Sequence, residues 1–382
     1  MKEEKTQTII FRKKPHIIGS YSIVGPKEGK GSLKNYFDYI MRNDLFGEKT
    51  YEKAERKMVE QAVIGAVNNA KLTPNDLSLF ISGDLLNQLI TSSFAARAFD
   101  VPYVGLFGAC STMAESLAVG ASLVNAGYFD NVACATASHF STAERQFRYP
   151  LELGNQRPPT SQWTVTGAGC CILSSKGNGP VITSATFGKV TDFGVADVNN
   201  MGAVMAPCAV STLIAHFKGT NTTPNDYDLI VTGDLGKLGS EILLDLMEDH
   251  GYKLGTNYND CGQIIYTGKQ SVLMGGSGCG CSASVLNSYI LQKIKQKEYK
   301  KVLFVATGAL LSSTSTQQGD TIPGIAHAVV IESFEPEKTK KAWKGRRLKY
   351  ATLVWILYCF WHWRTYLYDR SNIDYNHKNN NR

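Results

Sequence analysis

The chain has 382 residues, of which 43% are hydrophobic, which is enough to bury one large core or two modest ones and argues against general disorder. Its formal net charge of +7 arises in residues 334–382, where 11 Lys or Arg face 4 Asp or Glu, whereas residues 1–333 hold 29 of each kind. A body without excess positive charge argues against an extended nucleic-acid-binding surface, so the tail has to account for the basic excess.

Nine cysteines are present, and none stands in a paired CxxC spacing typical of zinc sites. Most of them lie in apolar or Gly-rich stretches, which favours free, buried thiols in a reducing compartment, and no metal site is predicted. The first ten residues, MKEEKTQTII, lack the apolar core of a signal peptide, so we expect a protein of cytoplasmic origin.

An internal duplication organises the sequence. Residues 73–85 (TPNDLSLFISGDL) match residues 223–235 (TPNDYDLIVTGDL) at eight of thirteen positions, and residues 108–132 align without a gap with residues 278–302. The repeat predicts three parts: an N-terminal half over 1–180, a C-terminal half over 181–333 and a tail over 334–382.

Each repeated unit has the pattern of a strand, a Gly-rich turn, a helix and a second strand. In chain order, the sequence predicts an amphipathic helix over 52–71, a helix over 111–125, a strand over 131–136, a helix over 282–296 and a strand over 301–306. Alternating strands and helices are typical of parallel sheets covered by helices. We therefore predict an α/β protein with two duplicated halves, whose strand-to-helix turns meet where the halves join.

Cys110 stands between an apolar strand and the first turn of the helix that follows it, in the segment VGLFGACSTMAE (104–115). Unpaired backbone amides and the helix dipole favour a thiolate at such a position, so this is the cysteine most suited to reactivity. Two interpretations remain open: a residue that a ligand or substrate reaches, or a small buried residue at a tight turn.

These features resemble the thiolase and ketoacyl synthase superfamily, which has duplicated halves, a cysteine before a long Ala-rich helix, and a Gly-rich segment like MGGSGCGC (274–281). The resemblance covers residues 1–333 and implies a layered thiolase-like fold. It also implies that Cys110 occupies the position of the acyl-accepting nucleophile, and that the second half supplies histidine, or histidine with asparagine, to activate it.

Those second-half partners are missing from the sequence. The corresponding segments read VTGDLG (231–236) and GSG (276–278), and we predict no general base at either place. Among the histidines, only His139 and His327 lie outside terminal, helical or tail contexts. We interpret His327 as a core histidine, whereas for His139 a pocket role and a structural role both stay open.

A closer resemblance is to the stage V sporulation protein AD family of endospore formers. Its motifs here are GDLLNQ (83–88), FGACST (107–112), SHFSTAERQFRYP (138–150), MAP (205–207), NDCG (259–262), GGSGC (275–279) and ATGALLS (306–312). The resemblance implies a protein that binds dipicolinic acid, without demonstrated acyl transfer. It also implies a place in the spore inner-membrane machinery that moves dipicolinate, with calcium as its counter-ion, into the forming spore and out at germination.

Dipicolinate is a planar dianion, so its site needs donors for two carboxylates and flat, apolar or glycine-backed space for the ring. Arg145 and Arg148 are the charged donors in this prediction, although with Glu144 they also suit a solvated ion-pair cluster. Asp84 and Asp234 occupy equivalent repeat positions, where structural loop anchors are more common than ligands. The residues expected to bind the ligand are Cys110, Asp84, Asn87, His139, Arg145, Arg148, Ser277 and Gly278.

The tail departs from the resemblance. A basic run over 338–349 precedes the apolar and aromatic run over 351–363, which is too short to cross a bilayer as a helix. Basic and Trp-rich flanks suit a segment lying at the surface of an anionic membrane. The alternative is that these residues are translated from an altered reading frame.

Three functions therefore remain after the sequence is read. The favoured one is a non-catalytic, dipicolinate-binding protein, peripheral at the spore inner membrane. The second is an acyltransferase or ketoacyl synthase that uses Cys110, and the third is a structural subunit of a membrane-associated spore complex. The resemblance further implies a homodimer and partners among the other proteins of the same sporulation operon, and no cofactor is predicted.

Overall fold

The computed structural model describes four stretches of the chain: residues 6–148, 156–335, 355–358 and 360–361. The chain divides into two compact units, Met1–Phe334 and Glu335–Arg382. In the second unit the described residues are helical, and Trp355 and Trp361 are exposed. The predicted basic run over 338–349 lies outside the described residues.

The first unit is a mixed α/β structure. Its described strands are β1 (Thr8–Ile10), β2 (His16–Val24), β3 (Tyr39–Ile40), β4 (Leu79–Gly83), β5 (Tyr103–Gly105), β6 (Asn131–Ser138), β7 (Trp163–Thr164), β8 (Gly167–Ser174), β9 (Val181–Thr186), β10 (Leu229–Thr232), β11 (Tyr258–Asp260), β12 (Gly276–Ser277), β13 (Lys301–Ala309) and β14 (Gly324–Glu332). Its described helices are α1 (Tyr51–Asn69), α2 (Ile90–Ala95), α3 (Thr112–Ala126), α4 (Phe140–Phe147), α5 (Met201–Thr220), α6 (Gly236–Asp249), α7 (Cys261–Ile264), α8 (Cys279–Val285), α9 (Leu291–Lys295) and α10 (Ser313–Gln317).

The sheet repeats the duplication seen in the sequence. Its main path runs β11-β10-β13-β14-β9-β2-β8-β6-β4-β5, so that β2-β8-β6-β4-β5 of the first half has the same order as β9-β14-β13-β10-β11 of the second. The two sets meet at one pair, His16 with Val181. Strand β1 is an exception to this division, because it pairs with β9 of the second half.

The expectation of a parallel sheet holds only in part. Strands β4, β5 and β6 are parallel to one another, as are β10, β11 and β13, but β8 and β14 run antiparallel to their neighbours. The regular alternation of strand and helix on which the expectation rests does not continue into these strands.

Helices form three layers around the sheet. Helix α3 and the segment from α8 to α9 lie between the two halves, where Leu117 and Ile290 belong to a core that includes strands of both. On the outer faces, α1 packs Met58 on the first half, and α5 and α6 pack Met205 and Leu243 on the second. Among the described helices, α5 alone is long and apolar enough to span a membrane, but two-thirds of its apolar window is buried inside the protein.

Local signals explain most element boundaries. Thr73 and Thr223 each precede a short 3-10 turn and form a capping box with the aspartate three residues later, Asp76 or Asp226. In each box the threonine N–H donates to the aspartate carboxylate at 2.7 Å. The predicted helices over 52–71 and 111–125 are confirmed within two residues. The predicted helix over 282–296 begins earlier, at Cys279, and a π-helical turn interrupts it.

Candidate functional site

The turn that carries Cys110 is compact and strained. A 3-10 turn, Ala109–Ser111, joins the end of β5 to α3, and Ala109 adopts the left-handed φ of 49° that L residues with a Cβ seldom use. The second half closes over this turn at Gly308. A Cβ at Gly308 would lie 2.2 Å from the carbonyl oxygen of Gly108, so only glycine permits this approach.

Asp234, from the second half, lies against the Cys110 thiol. Its carboxylate is fully buried and accepts hydrogen bonds from the Gly278 N–H at 2.8 Å, the Thr307 hydroxyl at 2.8 Å and the Ser277 hydroxyl at 3.3 Å. The Cys110 thiol is a further donor to it. Burial raises the pKa of Asp234 to about 6, although these donors act in the opposite direction.

Asp260 holds the loop that presents Asp234. Its carboxylate accepts from the backbone N–H groups of Leu235 at 2.9 Å and Gly236 at 3.0 Å, and from the Thr232 hydroxyl at 2.7 Å. Burial raises the pKa of Asp260 to about 7, and the charge of Asp234 acts in the same direction. Two buried acids therefore lie behind the cysteine.

The expectation that the helix terminus favours a Cys110 thiolate is wrong. Burial, with the negative charge of Asp234, raises the pKa of Cys110 well above its usual range, and the Gly278 amide only partly opposes them. At neutral pH the residue is therefore a neutral thiol. A nucleophilic cysteine needs the opposite setting, with a cation or a base beside it.

Neither candidate histidine is among the groups that shift the pKa of the Cys110 thiol. His139 is buried, accepts a hydrogen bond from the Ser141 N–H through Nδ1 at 3.1 Å, and contacts the Asp44 carbonyl through Nε2 at 2.9 Å. It thus caps helix α4, and burial lowers its pKa. His327 is a buried residue of β14 whose Nδ1 accepts from the Gly188 N–H, and burial lowers its pKa to about 4.

Cys110 borders a cavity between the two halves. The cavity is small, since the centre of a water-sized molecule can occupy only about 50 Å³ of it, and most of its wall is apolar. Four polar or charged side chains reach it, namely Cys110, Arg148, Thr164 and Ser277. Its apolar lining consists of Leu85, Phe107, Ala109, Ala143, Phe147, Met201, Ala309 and Leu311.

Arg148 is the charged group in this wall. Its side chain is 8% exposed and pairs with Glu144, which also lies 3.5 Å from Arg157. Within the described part of the chain, two guanidinium groups thus share one carboxylate, which leaves one positive charge in excess. Among the described residues, Nε of Arg148 and Nη1 of Arg157 have no hydrogen-bond partner, although both atoms are buried. Such atoms mark a place where an anion would complete the hydrogen bonding.

The structure brings four of the eight expected ligand residues together. Cys110, Arg148 and Ser277 line the cavity, and Gly278 meets the same Asp234 carboxylate as Cys110 and Ser277. His139, as described above, is committed to capping α4 and does not line it.

The remaining three lie elsewhere. Asp84 is fully buried and accepts from Leu86 and Ser92, so it is a loop anchor and not a ligand of this cavity. Asn87 and Arg145 border a separate surface depression, where Arg145 pairs with Glu52 at 2.8 Å. The expected ligand set is corrected accordingly, because α4 directs Ala143 and Phe147 to the cavity and Arg145 away from it.

Sequence reasoning missed Asp234 and Arg157. Asp234 lies in the segment in which the resemblance led us to seek histidine or asparagine, and its repeat partner, Asp84, has a purely structural role. The available signal was the segment alignment itself, which places the second-half loop beside the cysteine. For Arg157 there was no periodic or motif signal, because it stands in a loop.

Comparisons with solved structures identify the architecture. Xanthomonas campestris OleA is 12% identical with a TM-score of 0.57, covering 86% of this chain and 99% of that one. Human mitochondrial 3-ketoacyl-CoA thiolase is 12% identical with a TM-score of 0.53, covering 84% and 98%. Aquifex aeolicus 3-oxoacyl-[acyl-carrier-protein] synthase III is 14% identical with a TM-score of 0.50, covering 83% and 99%. The duplicated sheet and the cysteine turn thus define a thiolase-fold protein.

Comparisons of sequence identify the family within that class. The family model described as Stage V sporulation protein AD matches residues 5–332. Stage V sporulation protein AD of Bacillus subtilis (strain 168) is 46% identical over 332 residues, which covers 87% of this chain and 98% of that protein. The chain belongs to the stage V sporulation protein AD family, and it is a sporulation protein with a thiolase-like fold.

Proposed function

We propose that this protein binds dipicolinate in the cavity beside Cys110 and takes part in dipicolinate transport during sporulation and germination, without acyl transfer. The observation that carries the proposal is Arg148, a buried guanidinium in a mostly apolar cavity wall, whose Nε has no partner among the described residues. A flat aromatic ring suits the apolar wall, and a carboxylate on that ring suits the Arg148 guanidinium.

The setting of Cys110 supports binding over catalysis. Its thiol faces a carboxylate, its pKa is raised by burial, and neither His139 nor His327 is within the cavity lining. An enzyme that acylates a cysteine must stabilise the thiolate and the developing oxyanion, and a buried acid beside the thiol does the reverse.

Calorimetric titration of the full chain with dipicolinate tests the proposal, with benzoate as the control for generic aromatic anions. We expect saturable binding that is selective for dipicolinate, and Arg148→Gln should weaken it at least tenfold, since a charge-assisted hydrogen bond contributes roughly 1.5–3 kcal/mol. Arg145→Gln is the matched control, because Arg145 faces away from the cavity, and it should bind as the unchanged protein does. No heat and no thermal shift at millimolar dipicolinate would reject the proposal.

Acyl transfer through Cys110 is the second candidate, and one observation favours it. Asp234, with a pKa of about 6, contacts the thiol and would accept its proton in this alternative. Steady turnover of a coenzyme A thioester that Cys110→Ser abolishes would establish this function and replace the first proposal.

Calcium is proposed as a counter-ion of the ligand and not as a resident metal. Titrations with equimolar calcium are therefore expected to change the affinity for dipicolinate, whereas calcium alone should give no saturable heat. Binding of calcium alone at micromolar concentration would contradict this assignment.

A homodimer is proposed through the edge strand β5. In the described structure this strand pairs on one side only, with β4, and Val104 and the nearby Phe107 are exposed. An unpaired strand edge with apolar side chains is a surface that a second copy can cover. Light scattering should give the mass of a dimer, and Val104→Lys should give the mass of a monomer; unchanged mass in the variant would exclude this edge.

Peripheral attachment to the spore inner membrane is proposed for the tail, where Trp355 and Trp361 are exposed on helical residues. Flotation with anionic vesicles should recover the full chain and fail after deletion of residues 335–382. Equal recovery of both forms would instead favour attachment through other proteins of the sporulation operon, which we propose as partners.

A further inference from the structure

The cavity places an acid close to its proposed anionic ligand. Cys110 and Ser277 both line the cavity, and both contact the Asp234 carboxylate. A ligand that touches either side chain is therefore separated from a buried carboxylate by a single side chain. A negative charge on that ligand opposes the ionised form of Asp234, because like charges in a buried site raise each other's proton affinity.

No cation neutralises Asp234 among the described residues that interact with it. Its hydrogen-bond donors come from the Cys110 turn before α3, from the segment at β12 and from β13, and all are neutral. The titratable groups that feel its charge are acids or thiols, namely Cys110, Cys261, Cys279, Cys281 and Asp260. Arg148, in the cavity wall, is already paired with Glu144.

We propose that Asp234 is a specificity-determining residue that makes recognition of a dicarboxylate proton-coupled: the dianion binds together with one proton from solvent, which Asp234 takes up. This inference rests on the proposed function, because it requires an anion in the cavity. The step forms one O–H bond, at the Asp234 carboxylate, and breaks none in the ligand. The complex therefore holds a neutral carboxylic acid beside the ligand dianion.

The surroundings of Asp234 accommodate the neutral acid. The Gly278 N–H can continue to donate to Oδ2, and the Thr307 hydroxyl can rotate to accept a proton carried on Oδ1, so the added proton has an acceptor. Burial has already raised the pKa of Asp234 to about 6. A further rise on ligand binding therefore leads to proton uptake near neutral pH. Affinity should be greatest below this pKa and should fall as the pH rises above it.

The test is calorimetric titration of the full chain with dipicolinate at pH 7, in two buffers with different ionisation enthalpies. We expect the heats to report uptake approaching one proton for each ligand bound, and the affinity to fall about tenfold for each pH unit above 6. Binding without proton uptake would overturn this inference and leave the proposed function standing, whereas absence of binding would overturn both.

Three variants assign the proton. Asp234→Asn should bind dipicolinate with no proton uptake and with an affinity that does not change between pH 6 and 8. Thr307→Val removes one donor from the carboxylate and should move the pH dependence upward, which keeps the inference testable if Asp234→Asn does not fold. Glu115→Gln is the control, because burial raises the pKa of Glu115 to about 7 although it does not line the cavity. Uptake that persists in Asp234→Asn, or disappears in Glu115→Gln, would refute the assignment.

Discussion

The thiol of Cys110 and the carboxylate of Asp234 are in contact, although the two residues come from different halves of the duplicated fold. Each perturbs the other: the thiol donates to the carboxylate, and the carboxylate charge holds the proton on sulfur. Because no positive charge in the pair stabilises the thiolate, Cys110 is a protonated thiol at neutral pH.

Removing the charge of Asp234 should make Cys110 more reactive. In Asp234→Asn, the pKa of Cys110 should fall, because the nearby negative charge is gone while the Gly278 amide remains. The rate of modification by a thiol reagent at pH 8 should rise roughly tenfold for each unit by which the pKa falls. The same assay on Cys110→Ser measures the other cysteines and is subtracted. A rate that does not change would show that burial alone sets the pKa.

Stability should decrease from mildly acidic to mildly alkaline pH. Burial raises the pKa of Glu28 to about 7, so the folded state binds a proton that the unfolded chain has lost above its own pKa near 4.5. Stability from this group is present below pH 4.5 and is lost as the pH rises through about 7, by about 3 kcal/mol in total. Glu28→Gln should flatten this slope in denaturant unfolding measured from pH 5 to 8.

A matched control is available on the surface. Glu248 is 70% exposed and lies 4.0 Å from Lys253, so Glu248→Gln should leave the pH slope of stability as it is in the unchanged protein. If Glu28→Gln and Glu248→Gln have equal slopes, the slope arises from the other buried acids.

The packing of Gly308 should be sensitive to a single methyl group. In Gly308→Ala the new Cβ meets backbone atoms of the Cys110 turn, which cannot rotate away, so we expect a loss of about 1–3 kcal/mol in the free energy of unfolding. Gly268→Ala is the control, since a Cβ there has nothing within 4 Å. Equal stability of the two variants would mean that the Cys110 turn moves to make room for the new methyl group without a loss in the free energy of unfolding.

The two capping boxes should behave as copies of one another. Thr73→Ala and Thr223→Ala each remove a hydroxyl that bonds the following aspartate, and each should cost about 1 kcal/mol of unfolding free energy. The losses should add in the double variant, because the two sites share no partners. Chemical denaturation of all three variants tests this, and a cost confined to one half would refute equivalence.

Sequence patterns predicted the parts of the fold that depend on local order. The strand from Asn131 and the helix from Thr112 were predicted close to their observed bounds, because apolar periodicity and turn residues act over a few positions. The π-helical turn at Leu286–Ile290 and the antiparallel course of β8 could not be predicted in this way. Both depend on packing between elements distant in the chain.

The candidate site was harder to predict for the same reason. Cys110 was identified because its strand, turn and helix are contiguous. The role of Asp234 at the site was not predicted. Its repeat partner Asp84 accepts hydrogen bonds from residues of its own loop, and only the approach of the two halves gives Asp234 different partners. Arg145 and Arg148 could not be separated either, since their different directions depend on the position of α4 over the cavity.

Strand β1 has a consequence for the order in which the protein assembles. Thr8 pairs with Thr186 of the second half, which lies 178 residues further along the chain. During synthesis β1 therefore has no pairing partner until that much of the chain has followed it. Long sequence separation between contacts slows folding. Removal of the N-terminal half would take β1 from the sheet of the second half, whereas removal of the C-terminal half would leave β1 without its partner β9.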